Sequence, residues 1–130
     1  MSSAFFREEL IVVKYLLLIH MNPEVWETLT QADVDEVMAG HERFIKTISE
    51  SGELIRTDAL GQPAESAVVR IRAGAQTVTD GPYVEAKEFL AGFYLVECAS
   101  KERAVELAAM IPDAKWNAIE VRPIVYTQEA

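Results

Sequence analysis

From Leu10 to His20 almost every residue is apolar, and several are β-branched or aromatic. A run that apolar without alternation predicts a strand covered on both faces, because a strand with one wet face would alternate. Lys14 interrupts the run, and it is too short to cross a bilayer, so a core strand is the reading it allows. Each face of that strand then needs a cover. The rest of the chain has to supply one or leave it to a partner.

The pattern downstream supplies two helices. Met21-Asn22-Pro23 breaks the strand, and Thr30 is placed to cap a helix running to about Ser51, with Asp33 and Asp35 near its positive end. Val34, Val37, Met38, Phe44, Ile45 and Ile48 recur at threes and fours and mark its buried stripe, on which His41 also falls. Gly52 is placed as a left-handed cap. Leu54 to Leu60 is a short strand closed by Gly61-Gln62-Pro63. Ala67 to Arg72 and Gln76 to Thr79 form a hairpin around Ala73-Gly74-Ala75. Gly92 to Cys98 is a further strand, with Phe93, Leu95 and Glu97 on one face and Tyr94, Val96 and Cys98 on the other.

Ser100 can cap a second helix to Ile111, with Ala104, Val105, Ala108 and Ile111 inward and Pro112 as its stop. Ile119 to Tyr126 is the last strand, where Pro123 requires an edge, a bulge or the strand's end. This order is a split βαβ arrangement of ferredoxin-like α+β type, with two helices on one face of an antiparallel sheet. The other face of the apolar first strand then predicts a homodimer packed sheet to sheet, a dimeric α+β barrel. Residues 1–13 read as an extension before one domain over residues 14–126.

Composition narrows the partners. With 21 acidic against 12 basic residues, a net charge of −9 opposes direct nucleic-acid binding and adsorption to anionic membranes. A single cysteine, Cys98, cannot form an internal disulfide, and no export signal opens the chain, so a reducing cytoplasm is expected. Two histidines without metal-ligand spacing predict no metal, and no phosphate loop or nucleophile elbow predicts a cofactor.

The chemistry-bearing residues gather around Asp80-Gly81-Pro82-Tyr83, followed by Glu85, Lys87-Glu88 and Gly92-Phe93-Tyr94. With Lys14-Tyr15-Leu16-Leu17-Leu18-Ile19, Pro112 and Glu120-Val121-Arg122-Pro123, these positions resemble the YCII-related proteins, in particular the subgroup named for its DGPF motif. Tyr83 stands where that motif has phenylalanine, keeping the ring and adding a hydroxyl. The resemblance implies a ferredoxin-like dimeric barrel and an active-site histidine, on the first helix, with an aspartate. His41 looks like that histidine. At the end of strand one, where the acid is sought, this chain has His20, Met21 and Asn22, so either the dyad is absent or Asp80 supplies the carboxylate from another strand. Members of the subgroup are often encoded beside extracytoplasmic-function sigma factors, which makes a sigma factor a candidate partner.

Each candidate has a plainer alternative. His41 is either a satisfied core imidazole or a general acid or base in a wet pocket. Asp80 either shapes its own turn or orients the imidazole. His20, Tyr83 and Arg122 are candidate ligand contacts, although Glu120 and Arg122 share a strand face and can simply pair. Glu85, Lys87 and Glu88 read as a solvated charge run, or Lys87 pairs with Glu85 or with Glu120 across the dimer. Two functions follow. One is a cofactor-independent enzyme for proton transfer, isomerisation or elimination on a small polar aromatic or carbonyl compound, with His41 and Asp80 catalytic. The other is a non-catalytic module that binds a small ligand or a protein. A purely structural dimer is a third.

Overall fold

The computed structural model describes residues 13–83 and 87–130. The first strand, β1 (Val13–Met21), is followed by a one-turn helix, α1 (Pro23–Glu27), and a long one, α2 (Gln31–Glu50). Then come β2 (Leu54–Ala59), the hairpin β3 (Ala67–Arg72) and β4 (Ala75–Asp80), β5 (Phe89–Cys98), α3 (Lys101–Met110) and β6 (Ala118–Pro123). Short 3-10 turns cover Pro63–Glu65 and Pro112–Lys115. Residues 10–12 of the expected first strand lie outside the described residues.

Four strands form one antiparallel sheet in the order β2-β5-β1-β6. The central pair is β1 and β5, and the two βαβ-type excursions close on it, which is the ferredoxin-like α+β order. The hairpin is a separate two-stranded sheet inserted between β2 and β5. Its turn is two residues, Ala73 and Gly74, both at positive φ (51° and 79°), the geometry a right-twisted hairpin needs.

Local chemistry explains the helix ends. Thr30 and Asp33 form a reciprocal capping box, each side chain accepting the other's backbone N–H at 3.1 and 3.0 Å. Gly52 takes φ 81° after the last turn of α2. Ser100 accepts the N–H of Arg103 at the start of α3.

Tyr15, Leu17 and Ile19 on β1, Tyr94, Val96 and Cys98 on β5, and Phe44, Ile48, Leu107 and Ile111 fill the layer between sheet and helices. Two stripe positions differ from expectation. Met38 is exposed, and Gly40 is buried in its place because α2 is pressed there against Pro112. Val105 is exposed and Leu107 buried, which restores the spacing 104, 107, 108, 111 of a single helical face. The last strand ends at Pro123, not Tyr126, with one further bond from Ile124 N–H to the Lys14 carbonyl at 2.9 Å; β6 is an edge strand, where a proline is tolerated.

The face turned away from the helices carries Leu16 opposite Leu95 and Leu18 opposite Phe93, with Glu120 and Arg122 beside them on β6. Among the described residues no helix is long and apolar enough to cross a membrane.

Candidate functional site

Two elements converge at His41. At Gly40 a Cβ would lie 3.0 Å from the Pro112 ring, tighter than ordinary contact, so glycine lets the turn after α3 rest against α2 without being displaced. That approach aims Asp113, the second residue of the turn, at the neighbouring imidazole. His41 Nε2 lies 2.5 Å from Asp113 Oδ1, and His41 Nδ1 lies 2.6 Å from the Tyr94 hydroxyl on β5. The Asp113 side chain is 4% exposed and that of His41 22%. Phe44 packs edge-on against the Tyr94 ring, with centroids 4.9 Å apart, and fixes where the hydroxyl points.

Burial pushes the Tyr94 phenol up to about 12, and the nearby Asp113 charge adds to the shift. The hydroxyl is therefore protonated at neutral pH. With a neutral imidazole, Tyr94 donates to Nδ1 and Nε2–H donates to Asp113, a continuous chain of hydroxyl, imidazole and carboxylate. A carboxylate so placed selects the tautomer and stabilises an imidazolium, the two services a general acid–base histidine requires.

Asp80 is not part of this chain. It is the exposed last residue of β4, opposite Ala67 at the base of the inserted hairpin, and both His41 nitrogens are taken by other groups. Its turn-shaping surroundings are visible instead: Gly81 has φ 105° and its N–H donates to the Ser66 carbonyl at 2.6 Å. Tyr83 is exposed, with the Arg70 guanidinium 5.5 Å above its ring.

His20 and Arg122 meet through Glu120, on the sheet face away from His41. His20 Nε2 lies 2.8 Å from one Glu120 oxygen, and Arg122 donates twice to the other, at 2.9 and 2.5 Å. Arg122 first, and His20 second, hold the Glu120 carboxyl below its usual range. Lys87 and Glu88 are exposed, and Glu85 lies outside the described residues.

The two partners of His41 escaped the sequence reading for different reasons. Tyr94 was placed on the correct strand face, but a buried tyrosine looks like any core aromatic until its hydroxyl has a partner. Asp113 follows a helix-stopping proline, where an acid ordinarily faces water. A groove of about 700 Å³ lies between α2 and the turn, lined by Val37, Phe44 and Trp116 together with the charged Glu36, Arg43 and Lys115; His41, Tyr94 and Asp113 are not among its lining residues. Among the described residues no three histidine, cysteine or acidic side chains converge on a metal position. Burial raises the Cys98 thiol, leaving it a core residue.

Comparison with known proteins matches residues 13–128 to the YCII-related domain. An uncharacterized protein of Rhizobium meliloti (strain 1021) is 31% identical over 112 residues, which cover 85% of this chain and 90% of that one. The match spans β1 to β6 and so includes His41, Tyr94 and Asp113 alike. The chain belongs to the YCII-related family.

Proposed function

We propose that the protein is a cofactor-independent enzyme that moves a proton on a small carbonyl or polar aromatic compound, with His41 as general acid or base and Asp113 as its orienting carboxylate. The observation that carries this reading is the 2.5 Å contact between His41 Nε2 and a carboxylate almost sealed from water. Burying a carboxylate costs several kcal/mol unless a partner compensates, roughly the scale on which single contacts are decisive. Tyr94 holds Nδ1 in the resting state, and a substrate oxygen or acidic C–H would replace its hydroxyl there.

A direct test follows solvent deuterium into a panel of α-acidic carbonyl compounds by NMR. The wild-type protein should accelerate exchange on at least one of them, and His41→Ala or Asp113→Asn should cut that rate by roughly 10²–10⁴-fold. Exchange equal to buffer across the panel, or unaffected by either change, counts against the enzyme.

A second reading has its own support. Both imidazole nitrogens are engaged and Tyr94 is 2% exposed, as in a polar lock that pins α2 to the sheet. On that reading the protein is a binding module, and His41→Ala lowers stability without altering any ligand. The quaternary state belongs to the same proposal: two copies pack through the face bearing Leu16, Leu18, Phe93 and Leu95.

A further inference from the structure

The hairpin of β3 and β4 is a sheet of its own, and a two-stranded ribbon with both faces in water is marginally stable at best. One of its faces is already occupied. Residues opposite each other in an antiparallel pair share a face, so Val68 and Arg70 lie with Thr79 and Thr77. Val68 and Arg70 are half-buried, and the Arg70 guanidinium sits 5.5 Å over the Tyr83 ring of the same chain. The other face carries Val69 opposite Val78 and Ile71 opposite Gln76. Its three aliphatic side chains are 58, 55 and 64% exposed for Val69, Val78 and Ile71, a contiguous apolar strip and not scattered single residues.

Two observations say what covers that strip. The first is position. The chain leaves β2 at Leu60, whose N–H donates to the Ala91 carbonyl at 2.8 Å, and β5 begins with Phe89 and Leu90, Leu90 lying opposite His20. The ribbon therefore springs from the end of the sheet face that bears Leu16, Leu18, Phe93 and Leu95, and is continuous with it. Strands of six residues extend about 20 Å, twice the roughly 10 Å between packed sheets, so the ribbon can reach the body of a second copy. The second is charge. The ribbon holds Arg70 and Arg72 against the one carboxylate of Asp80, in a chain whose net charge is −9. A basic arm on an acidic molecule is attracted to another copy of that molecule.

We infer that the ribbon of β3 and β4 is an arm that lies along the second copy of the chain, with Val69, Ile71 and Val78 buried against it. This rests on the dimer proposed above and adds a contact that the sheet face does not supply. The sheet face holds the pair together and the arms tighten it, so changes in the strip shift the dissociation constant and leave a dimer at concentrations well above it.

A mixed dimer of one copy ¹³C-labelled at its methyl groups and one unlabelled copy, read by isotope-filtered NOE spectroscopy, tests both contacts at once. Leu16, Leu18 and Leu95 methyls should show cross-chain contacts, which report the dimer, and those of Val69, Ile71 and Val78 should show them too, which report the arm. Changing Val69→Thr and Val78→Thr together keeps β-branched residues at both members of one cross-strand pair, so the ribbon persists while its strip loses apolar surface. The double variant should raise the dimer Kd about tenfold in sedimentation equilibrium. Its ¹H–¹⁵N spectrum, unchanged outside the ribbon and its contacts, checks the fold. The inference is overturned if the sheet-face leucines show cross-chain contacts while the ribbon methyls show none, which leaves the strip to a different protein, or if the double variant's Kd equals that of wild type. An absence of cross-chain contacts from both sets overturns the dimer reading and the arm with it.

Discussion

Tyr94 and Asp113 hold opposite ends of the same imidazole, and removing them separates what each contributes. Tyr94→Phe keeps the ring that Phe44 packs against and deletes only the hydroxyl, so it should cost about 1 kcal/mol of stability, the usual net value of one hydrogen bond. It also frees His41 Nδ1. If that nitrogen is where a substrate docks, Tyr94→Phe should leave or raise the affinity of ligands that contact His41, measured by ligand-induced shifts of its ring signals. Asp113→Ala is harsher, because it strands a buried Nε2–H, and a loss of about 1–3 kcal/mol is expected in urea unfolding. A loss from Asp113→Ala no larger than that from Tyr94→Phe would show that water reaches the stranded nitrogen.

At the scale of elements, α2, α3 and the main-sheet strands were legible because each is declared by local chemistry: Thr30 with Asp33, Gly52, Ser100, and apolar residues at helical or strand spacing; the one-turn α1, where the sequence reads only as a break, was not. The pairing of elements was legible only in part. Nothing near Gly40 in the sequence says that Pro112 will lie against it, yet that contact sets Asp113 on His41. Gly40→Ala should therefore push the turn off α2 by a few tenths of an ångström and loosen the His41–Asp113 contact, with the strain set against the roughly 1 kcal/mol that alanine gains over glycine in a helix interior. The readout is the His41 ring ¹⁵N shift alongside the melting temperature; a shift unchanged from wild type would show that the turn is held by something else. A second long-range tie joins β2 to α3, where Arg103 donates to both Glu53 oxygens at 2.9 and 3.1 Å. Those bonds hold the Glu53 carboxyl below its ordinary 4.5, against the burial that would raise it. Because the folded value lies below the unfolded one, the pair's contribution is complete above about pH 5 and disappears as pH falls through the folded value. Melting temperature measured from roughly pH 6 to pH 3 should thus fall less steeply in Arg103→Ala than in wild type. Equal slopes would assign the acid sensitivity to other carboxylates.

For the whole molecule, the proposed dimer rests on the second face of β1. The helices cover Tyr15, Leu17 and Ile19; Leu16 and Leu18 face the other way beside Leu95 and Phe93, with Leu18 already buried within one chain and the other three half-buried. Leucine and phenylalanine pairs in the middle of a sheet face are what a second apolar sheet packs against, at a spacing of about 10 Å. The flanking Glu120 and Arg122 pair with each other, so the centre of this face carries no unpaired charge to oppose burial. A second copy of the chain presents the same surface, so the proposed pairing would be self-complementary and close as a two-fold dimer. Leu95→Glu puts a carboxylate at the centre of that contact on both copies and should convert a dimer to a monomer in sedimentation equilibrium. Val78→Lys, on the exposed hairpin outside the main sheet, should leave the mass unchanged. Wild-type melting should also rise with protein concentration, because association stabilises only the folded state, whereas Leu95→Glu should melt at one temperature throughout. A wild-type protein that sediments as a monomer at every concentration would leave this face for another partner, and the barrel would not exist.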